Sequence, residues 1–436
     1  MSFSQIIFFL LTFTSIYLFY KKISEIKRNI LLGHDEKLHD QRVARWKNVF
    51  LLAFGQQKMF KKPFAAILHL FVYAGFIIIN VEMLEIVVDG LAGTHRIFSG
   101  FNLEAYRVLI NLFEVLAFIV ILFCFIFLGR RYIAGIKRFT SSDLKGSPAR
   151  DATIILVTEI ILMSLFLTMN AADSVLQNMG VEHYAEHKTG AFLISTYISD
   201  ILHYLSVNQL IVLERSCWWL HIIGVFTFLN YLPWSKHLHI ILAFPNAYFA
   251  RLTPSGQMSN MPAVQNEVLY AFQPDLAPTH TSETPIKFGA KDVFDLSWKN
   301  LLDAYSCTEC GRCSAACPAN QTSKMLSPRK IMMDTRDRLE EVGKNISKNG
   351  EFKEDEKSLL DYISEEELRA CTTCSACVEA CPVSINPMDI ILQMRRYMIM
   401  EKSSAPQEWT MMFGNMENNF APWKFASEDR GKWMLE

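Results

Sequence analysis

The sequence predicts an all-α fold in two unlike parts: five membrane-crossing helices, then a soluble helical domain. Two observations carry this. Five long apolar runs all fall before residue 245, and two dense cysteine clusters both fall after residue 300. The hydrophobic content of 51% is an average over these halves, and a net charge of −1 gives no general affinity for nucleic acid. Residues 1–245 make the membrane part, 246–290 a linker rich in Pro, Ser, Thr and Asn, and 291–436 the soluble part.

The apolar runs lie at 4–20, 63–88, 106–128, 152–172 and 213–233. Each reaches or approaches the ~20 residues that cross a ~30 Å hydrocarbon core. The first is short enough to be weighed as a signal peptide. No small-residue cleavage site follows it and "KKISEIKRN" comes next, so an uncleaved anchor is expected. Connections 21–62 and 129–150 carry eleven and six Lys or Arg, whereas 89–105 and 173–212 carry one each, Arg96 and Lys188. The positive-inside bias then puts the N-terminus outside and the soluble half in the cytoplasm, at the inner membrane.

"CTECGRCSAACP" supplies Cys307, Cys310, Cys313 and Cys317, and "CTTCSACVEACP" supplies Cys371, Cys374, Cys377 and Cys381. Both have the spacing C-x2-C-x2-C-x3-C-P, in which three thiolates hold one [4Fe–4S] cluster and the fourth ligates its neighbour. The expected sets are Cys307, Cys310, Cys313 with Cys381, and Cys371, Cys374, Cys377 with Cys317. Zinc favours paired C-x2-C units across a long gap, and disulfides are disfavoured in a cytoplasmic domain. Between the motifs, Ser327 and Pro328 open one expected helix, and Ser364 with Glu367 caps another. "NPMDIILQMRRYMIM" reads as a third. This is an α-helical ferredoxin domain.

"HIIGVFTFLNYLPWSKHLH" places three histidines at the end of the fifth run. On one continuous helix His221 and His239, five whole turns apart, share a face about 27 Å apart along the axis, with His237 on the other side. Imidazoles at two membrane depths suit axial ligation of haem. His69 sits about 9 Å into the second helix and is the expected partner of His239 around a haem b. Lys61, Lys62 and Lys236 are placed to neutralise its propionates.

The 221–239 stretch resembles the fifth helix of the membrane gamma subunit of respiratory nitrate reductases, and the related membrane subunit of heterodisulfide reductases. Pro233, Ser235 and Lys236 carry this likeness. It implies a five-helix cytochrome b bundle. Two-haem members have a second histidine ten residues after the first on helix two, where this chain has Ile79. His221 is therefore either an axial ligand to a second haem or a hydrogen-bonding partner for a quinone. "FDLSWKNLLDAYSCTECGRCSAACPA" and "NNFAPWKFASEDRGKW" resemble the iron–sulfur subunit of heterodisulfide reductases and their glycolate-oxidase-like relatives. That likeness implies exchange of electrons between a cytoplasmic partner and menaquinone. The partner is a separate CCG-domain iron–sulfur subunit, an electron-transfer flavoprotein, or both.

Cys124 and Cys217 lie in or beside membrane helices and form no further redox site. Glu82 and Glu85 read as solvated helix ends, while Glu114 and Glu159 lie deep enough to relay protons to the quinone, Glu114 at a depth like that of His221. No glycine-rich loop for NAD, FAD or ATP appears. The expected function is electron transfer by a quinone oxidoreductase-type subunit. The rivals are a component of a heterodisulfide-reductase-like complex and a non-enzymatic iron–sulfur redox sensor.

Overall fold

The computed structural model describes residues 2–144, 146–186, 189–254, 256–278 and 287–435 of the chain. Lys188 and the 279–286 part of the expected linker lie outside the described residues. Those described contain helices and a single isolated bridge, His34 to Ser297, with no strand.

Five helices are long and apolar enough to cross a membrane: α1 (Phe3–Ile30), α2 (Pro63–Ala92), α3 (Leu103–Tyr132), α4 (Ser147–Asn178) and α5 (Val207–Tyr231). Polar caps lie beyond the ends of the apolar runs, so the helices are longer than hydropathy alone defines. Ser2 and Gln5 cap α1 reciprocally, the Asn102 side chain accepts from Ala105 N–H at the start of α3, and Ser206 N–H donates to Gln209 on α5. Pro63 opens α2, and Gly93 closes it in the left-handed region. Within the bundle α4 packs along α5, and a Cβ at Gly224 would lie 2.7 Å from Leu162 Cδ2, so the close approach depends on a small residue.

The fifth helix does not run through His239. Pro233 has no N–H to return to the preceding turn, and its ring crowds the carbonyl four residues back. The chain leaves α5 at Tyr231, passes through two short 3-10 turns with Ser235 extended between them, and starts α6 (His239–Tyr248) afresh. His221 and His239 therefore sit on different helices, and the expectation of one continuous face is corrected. Glu82 and Glu85 are corrected too. They are 3% and 2% exposed, because α2 continues to Ala92 and the 93–101 loop folds back over them. Phe98 N–H donates to Glu85, as does Tyr106 Oη.

The soluble half is built on α7 (Trp298–Ser306), α8 (Arg312–Ala316), α9 (Pro328–Asn349), α10 (Ala376–Ala380) and α11 (Pro387–Met400). Ser327 caps α9 through Lys330 N–H, and Ser364 with Glu367 caps the short helix Glu365–Arg369. Ile331, Met332, Leu339, Ile390 and Met394 from α9 and α11 fill its core.

The two halves interlock. Ile26 and Ile30 of α1 are buried in the soluble domain's core, and Asn29 donates to Tyr305 Oη at 3.0 Å. Residues 246–254 are likewise docked. Asn246 donates to the Val383 carbonyl at 2.8 Å, and Arg251 pairs with Asp389 at 2.8 Å. On the opposite flank Arg329, 1% exposed, grips the α3–α4 connection: its Nε donates to Asp143 at 3.0 Å and its Nη1 to the Arg138 carbonyl at 3.0 Å.

Burial alone would raise Asp143, but hydrogen bonds from Arg329, Ser141 and Ser327 hold its carboxyl down at about 2. A depressed carboxyl stabilises the fold at every pH above its unfolded value of 3.8 and loses that contribution as pH falls towards 2. Breaking a buried pair by removing one partner costs about 3–5 kcal/mol. Asp143→Asn should therefore lower the thermal midpoint of the detergent-solubilised protein at pH 7 and open the 133–144 segment to protease. At pH near 2 the variant and the parent should melt alike.

Candidate functional site

Both cysteine motifs fold by the same local device. Glu309 and Gly311 in the first, and Thr373 and Ser375 in the second, have positive φ of 54°, 70°, 53° and 59°. Three of the four are not glycine, and such residues cost about 1–3 kcal/mol each. The conformation turns successive N–H groups towards one anionic centre. Thr373 N–H, for instance, donates to Cys371 Sγ at 3.4 Å. Gly311 carries a second requirement, since a Cβ there would collide with the Arg329 guanidinium.

Cys317 and Cys381 close α8 and α10 in extended backbone, the conformation that Pro318 and Pro382 impose on the residue before them. Each fourth cysteine thereby crosses to the other motif. Cys313 lies within electrostatic reach of Cys307, Cys310 and Cys381, and also of Cys377, against which it packs, while Cys377 lies within reach of Cys371, Cys317 and Cys374. The second set lines a small pocket together with Leu326, Pro328, Met388 and Ile391. Burial pushes the Cys307 and Cys377 thiols up to about 12 and Cys381 to about 11. Thiolates in such surroundings need the positive charge of bound iron, and an iron–sulfur cluster supplies it. Cys374, in the second set, is the exposed cysteine, while Glu309 in the loop of the first set is bonded to Lys236 beside the membrane bundle, so the second set opens to solvent at Cys374 and the first is turned inward towards the bundle.

The inward set meets the histidines. His69 and His239 have ring centres 6.3 Å apart, inclined at 41°. With metal–imidazole bonds of ~2 Å, two imidazoles on opposite faces of one iron place their ring centres roughly 6 Å apart. His69 Nδ1 is bonded to Gln56 Oε1 at 3.0 Å and His239 Nδ1 to the Lys236 carbonyl at 2.9 Å. Each bond puts the proton on Nδ1 and leaves the Nε2 lone pair for a metal. The two residues therefore fit a haem, which supplies a one-electron carrier when bound. His237 is not on the far side. With the helix broken at Pro233, its ring lies 5.5 Å from that of His239, between Phe76 and Phe228, and its Nε2 is buried without a partner.

Lys236 joins the two centres. Its carbonyl orients His239, while its ammonium donates to Glu309 at 2.8 Å and to the Pro148 carbonyl at 2.6 Å. Glu309 stands between Cys307 and Cys310 and also pairs with Arg336. Despite burial, the Lys236 and Arg336 charges keep the Glu309 carboxyl below its ordinary range. Lys236 is thus engaged with the cluster motif. Lys61 is engaged as well, in a pair with Glu379, and Lys62 is exposed.

His221 lies apart, buried against α4 with Nδ1 bonded to the Leu162 carbonyl at 2.9 Å. Glu114 accepts from Asn170, from Ser195 Oγ and from the N–H groups of Ile194 and Ser195, so it anchors the 192–195 turn. Glu82 is the carboxyl in this region with a buried oxygen that lacks a partner. Sequence reasoning missed Gln56 and Glu309. Gln56 carried no signal, being an isolated amide thirteen residues before its histidine. Glu309 had one, as a charge inside a ligand loop.

Residues 306–385 match the 4Fe-4S dicluster domain. Over 463 residues the chain is 26% identical to the probable iron-sulfur-binding oxidoreductase FadF of Bacillus subtilis, covering 99% of this chain and 61% of that protein. It is 28% identical over 419 residues to the EtfAB:quinone oxidoreductase of Syntrophomonas wolfei, covering 91% and 54%. A shorter match, 31% over 106 residues, is to one component of the ferredoxin/F(420)H(2)-dependent CoB-CoM heterodisulfide reductase of Methanosarcina acetivorans, covering 24% of this chain and 53% of that protein. The chain thus spans only about half to three fifths of the length of these curated relatives, and no solved structure matches it. The chain carries a dicluster iron–sulfur domain beside five helices of membrane-crossing length, and its relatives are iron–sulfur oxidoreductases.

Proposed function

We propose that this chain is a membrane electron-transfer subunit linking a soluble redox partner to the menaquinone pool through two [4Fe–4S] clusters and one haem b. The observation that supports it best is the His69–His239 pair, set at haem-ligand spacing and tied through Lys236 to Glu309 in the first cysteine motif. The exposed Cys374 face is the proposed docking point for the partner, a CCG-domain iron–sulfur subunit or an electron-transfer flavoprotein. The relative named EtfAB:quinone oxidoreductase supports that choice. The bundle spans the cytoplasmic membrane with the N-terminus outside and the dicluster domain inside, as the loop charges favour.

Quinone is placed in the far half of the bundle beside His221. Its Nδ1–H is held by Leu162, so Nε2 acts as the acceptor for a quinol hydroxyl. Proton exchange there is assigned to Glu82 rather than Glu114, whose oxygens are taken up by the 192–195 turn. The match to a heterodisulfide reductase component favours a second reading, in which the chain is the electron carrier of such a complex. Cys124 and Cys217 are buried in the bundle and offer no thiol to a disulfide substrate.

The test is reoxidation of dithionite-reduced membranes by a menaquinone analogue. His69→Ala or His239→Ala should abolish a low-spin b-type band and slow cluster reoxidation by at least about tenfold, while both iron–sulfur signals remain. A parent protein without that band, or with clusters reoxidised equally fast in the variants, contradicts the proposal. If His69→Ala and His237→Ala remove the band and His239→Ala does not, the ligand pair is His69 and His237.

Lys236→Met should keep the haem and both clusters, because the carbonyl that orients His239 belongs to the backbone. It leaves Glu309 with Arg336 as its remaining ion-pair partner and should slow electron exchange between haem and clusters in stopped-flow measurements. Lys236→Arg should restore most of the rate.

A further inference from the structure

The geometry points to a carboxylate-binding cradle, formed by Arg138 and Arg312 between His69 and the first cysteine motif, that takes the propionates of the haem. It rests on the haem reading of His69 and His239. Around this junction most cations already have anionic partners: Arg329 has Asp143, Lys236 and Arg336 have Glu309, and Lys61 has Glu379. Arg138 does not. Its guanidinium lies 4.8 Å from the Phe139 ring centre, and its Nε and Nη1 are buried with no hydrogen-bond partner.

Arg312 follows Gly311, where a Cβ would lie 3.3 Å from the Arg138 carbonyl oxygen; it is 9% exposed, within electrostatic reach of Arg138 and His69, and forms no ion pair among the described residues. Arg130 stands behind them, 5.2 Å from the ring of Phe64, one and a half turns before His69. Cys310 lies within electrostatic reach of Arg138, as do the like charges of Arg130, Arg312 and Arg329.

Guanidinium donors that are buried and open, beside other guanidinium groups, are costly to keep without an anion. Its planar fork matches a carboxylate in two parallel hydrogen bonds. Two such forks side by side match a ligand with two carboxylates on short flexible arms. Haem b carries those two arms on one edge, and the paired imidazoles are where its iron would sit. Of the lysines expected for this task from the sequence, Lys61 and Lys236 have other partners and Lys62 is exposed. The arginines replace them, one from the α3–α4 connection and one from within "CGRC" itself. Positive charge beside the propionates makes the ferric haem less favourable and so raises its potential.

The experiment uses full-length protein in membranes. Optical redox titration follows the haem, electron paramagnetic resonance follows the clusters, and redox-difference infrared spectra use haem with ¹³C-labelled propionates. Arg138→Gln and Arg312→Gln should each retain the b band, lower the haem midpoint potential and shift the labelled carboxylate band. Arg138→Lys and Arg312→Lys should restore the potential in part, and they serve for the same measurements if a Gln variant fails to take up haem.

A shift confined to the iron–sulfur signals would mean that the arginines serve the cluster, which overturns the cradle and leaves the haem reading standing. A haem potential that moves with added inorganic phosphate in the parent but not in Arg138→Gln would give the site to free phosphate and overturn the cradle as well. Absence of a b band from the parent would instead overturn the haem reading, and the cradle with it.

Discussion

The contact on which the rest of this molecule depends is the one made by Lys236. One residue uses its carbonyl to fix the His239 ring and its ammonium to hold Glu309, the charge embedded in the first cysteine loop. A lysine on a flexible stem would ordinarily remain hydrated at a membrane surface. Here it is confined between Pro148, Asp151 and Glu309, with its side chain about one-tenth exposed. Pairs this dry repay their desolvation only when the geometry is good and further hydrogen bonds complete the shell. Arg336 completes it on the Glu309 side.

The same junction explains several features that look unrelated. α1 runs past the apolar stretch so that Ile26 and Ile30 enter the soluble core, and Asn246 at the end of α6 reaches the residue after Pro382. Arg329 secures the third side through Asp143. The two halves are thus clamped along three separate lines. Electron transfer between centres in different domains demands a fixed distance, and a flexible linker alone gives none. Strain is concentrated where the ligands are, in the left-handed Glu309, Thr373 and Ser375, and in Gln56, which is left-handed at φ 49° and orients His69.

Much of this was legible beforehand. The five apolar runs mark the five helices because a helix of some 30 residues whose long central stretch carries at most two charges has few other uses. The crossed cysteine sets follow from a proline that dictates the backbone before it. What escaped was set by local chemistry that periodicity cannot see. A single proline at 233 ended a helix that the apolar pattern continued, and this moved His237 from the far side to the site. Glu82 and Glu85 read as solvated because their loop is polar, yet Arg96 pins that loop down through Asp173 and Asn170. The partners of Lys61 and Lys236 lie more than 70 positions away in the chain, and no local pattern names them.

The central claim is that the histidine pair and the inward cysteine set hold two redox centres side by side. Pulsed electron paramagnetic resonance on the full-length protein tests it most directly, through the spin-relaxation rate of the reduced cluster. With the haem oxidised and paramagnetic, one cluster signal should relax markedly faster than with the haem reduced and diamagnetic, and the other should respond less. If neither cluster's relaxation changes with the haem's oxidation state, the two centres are not neighbours, and the junction through Lys236 has no electronic role.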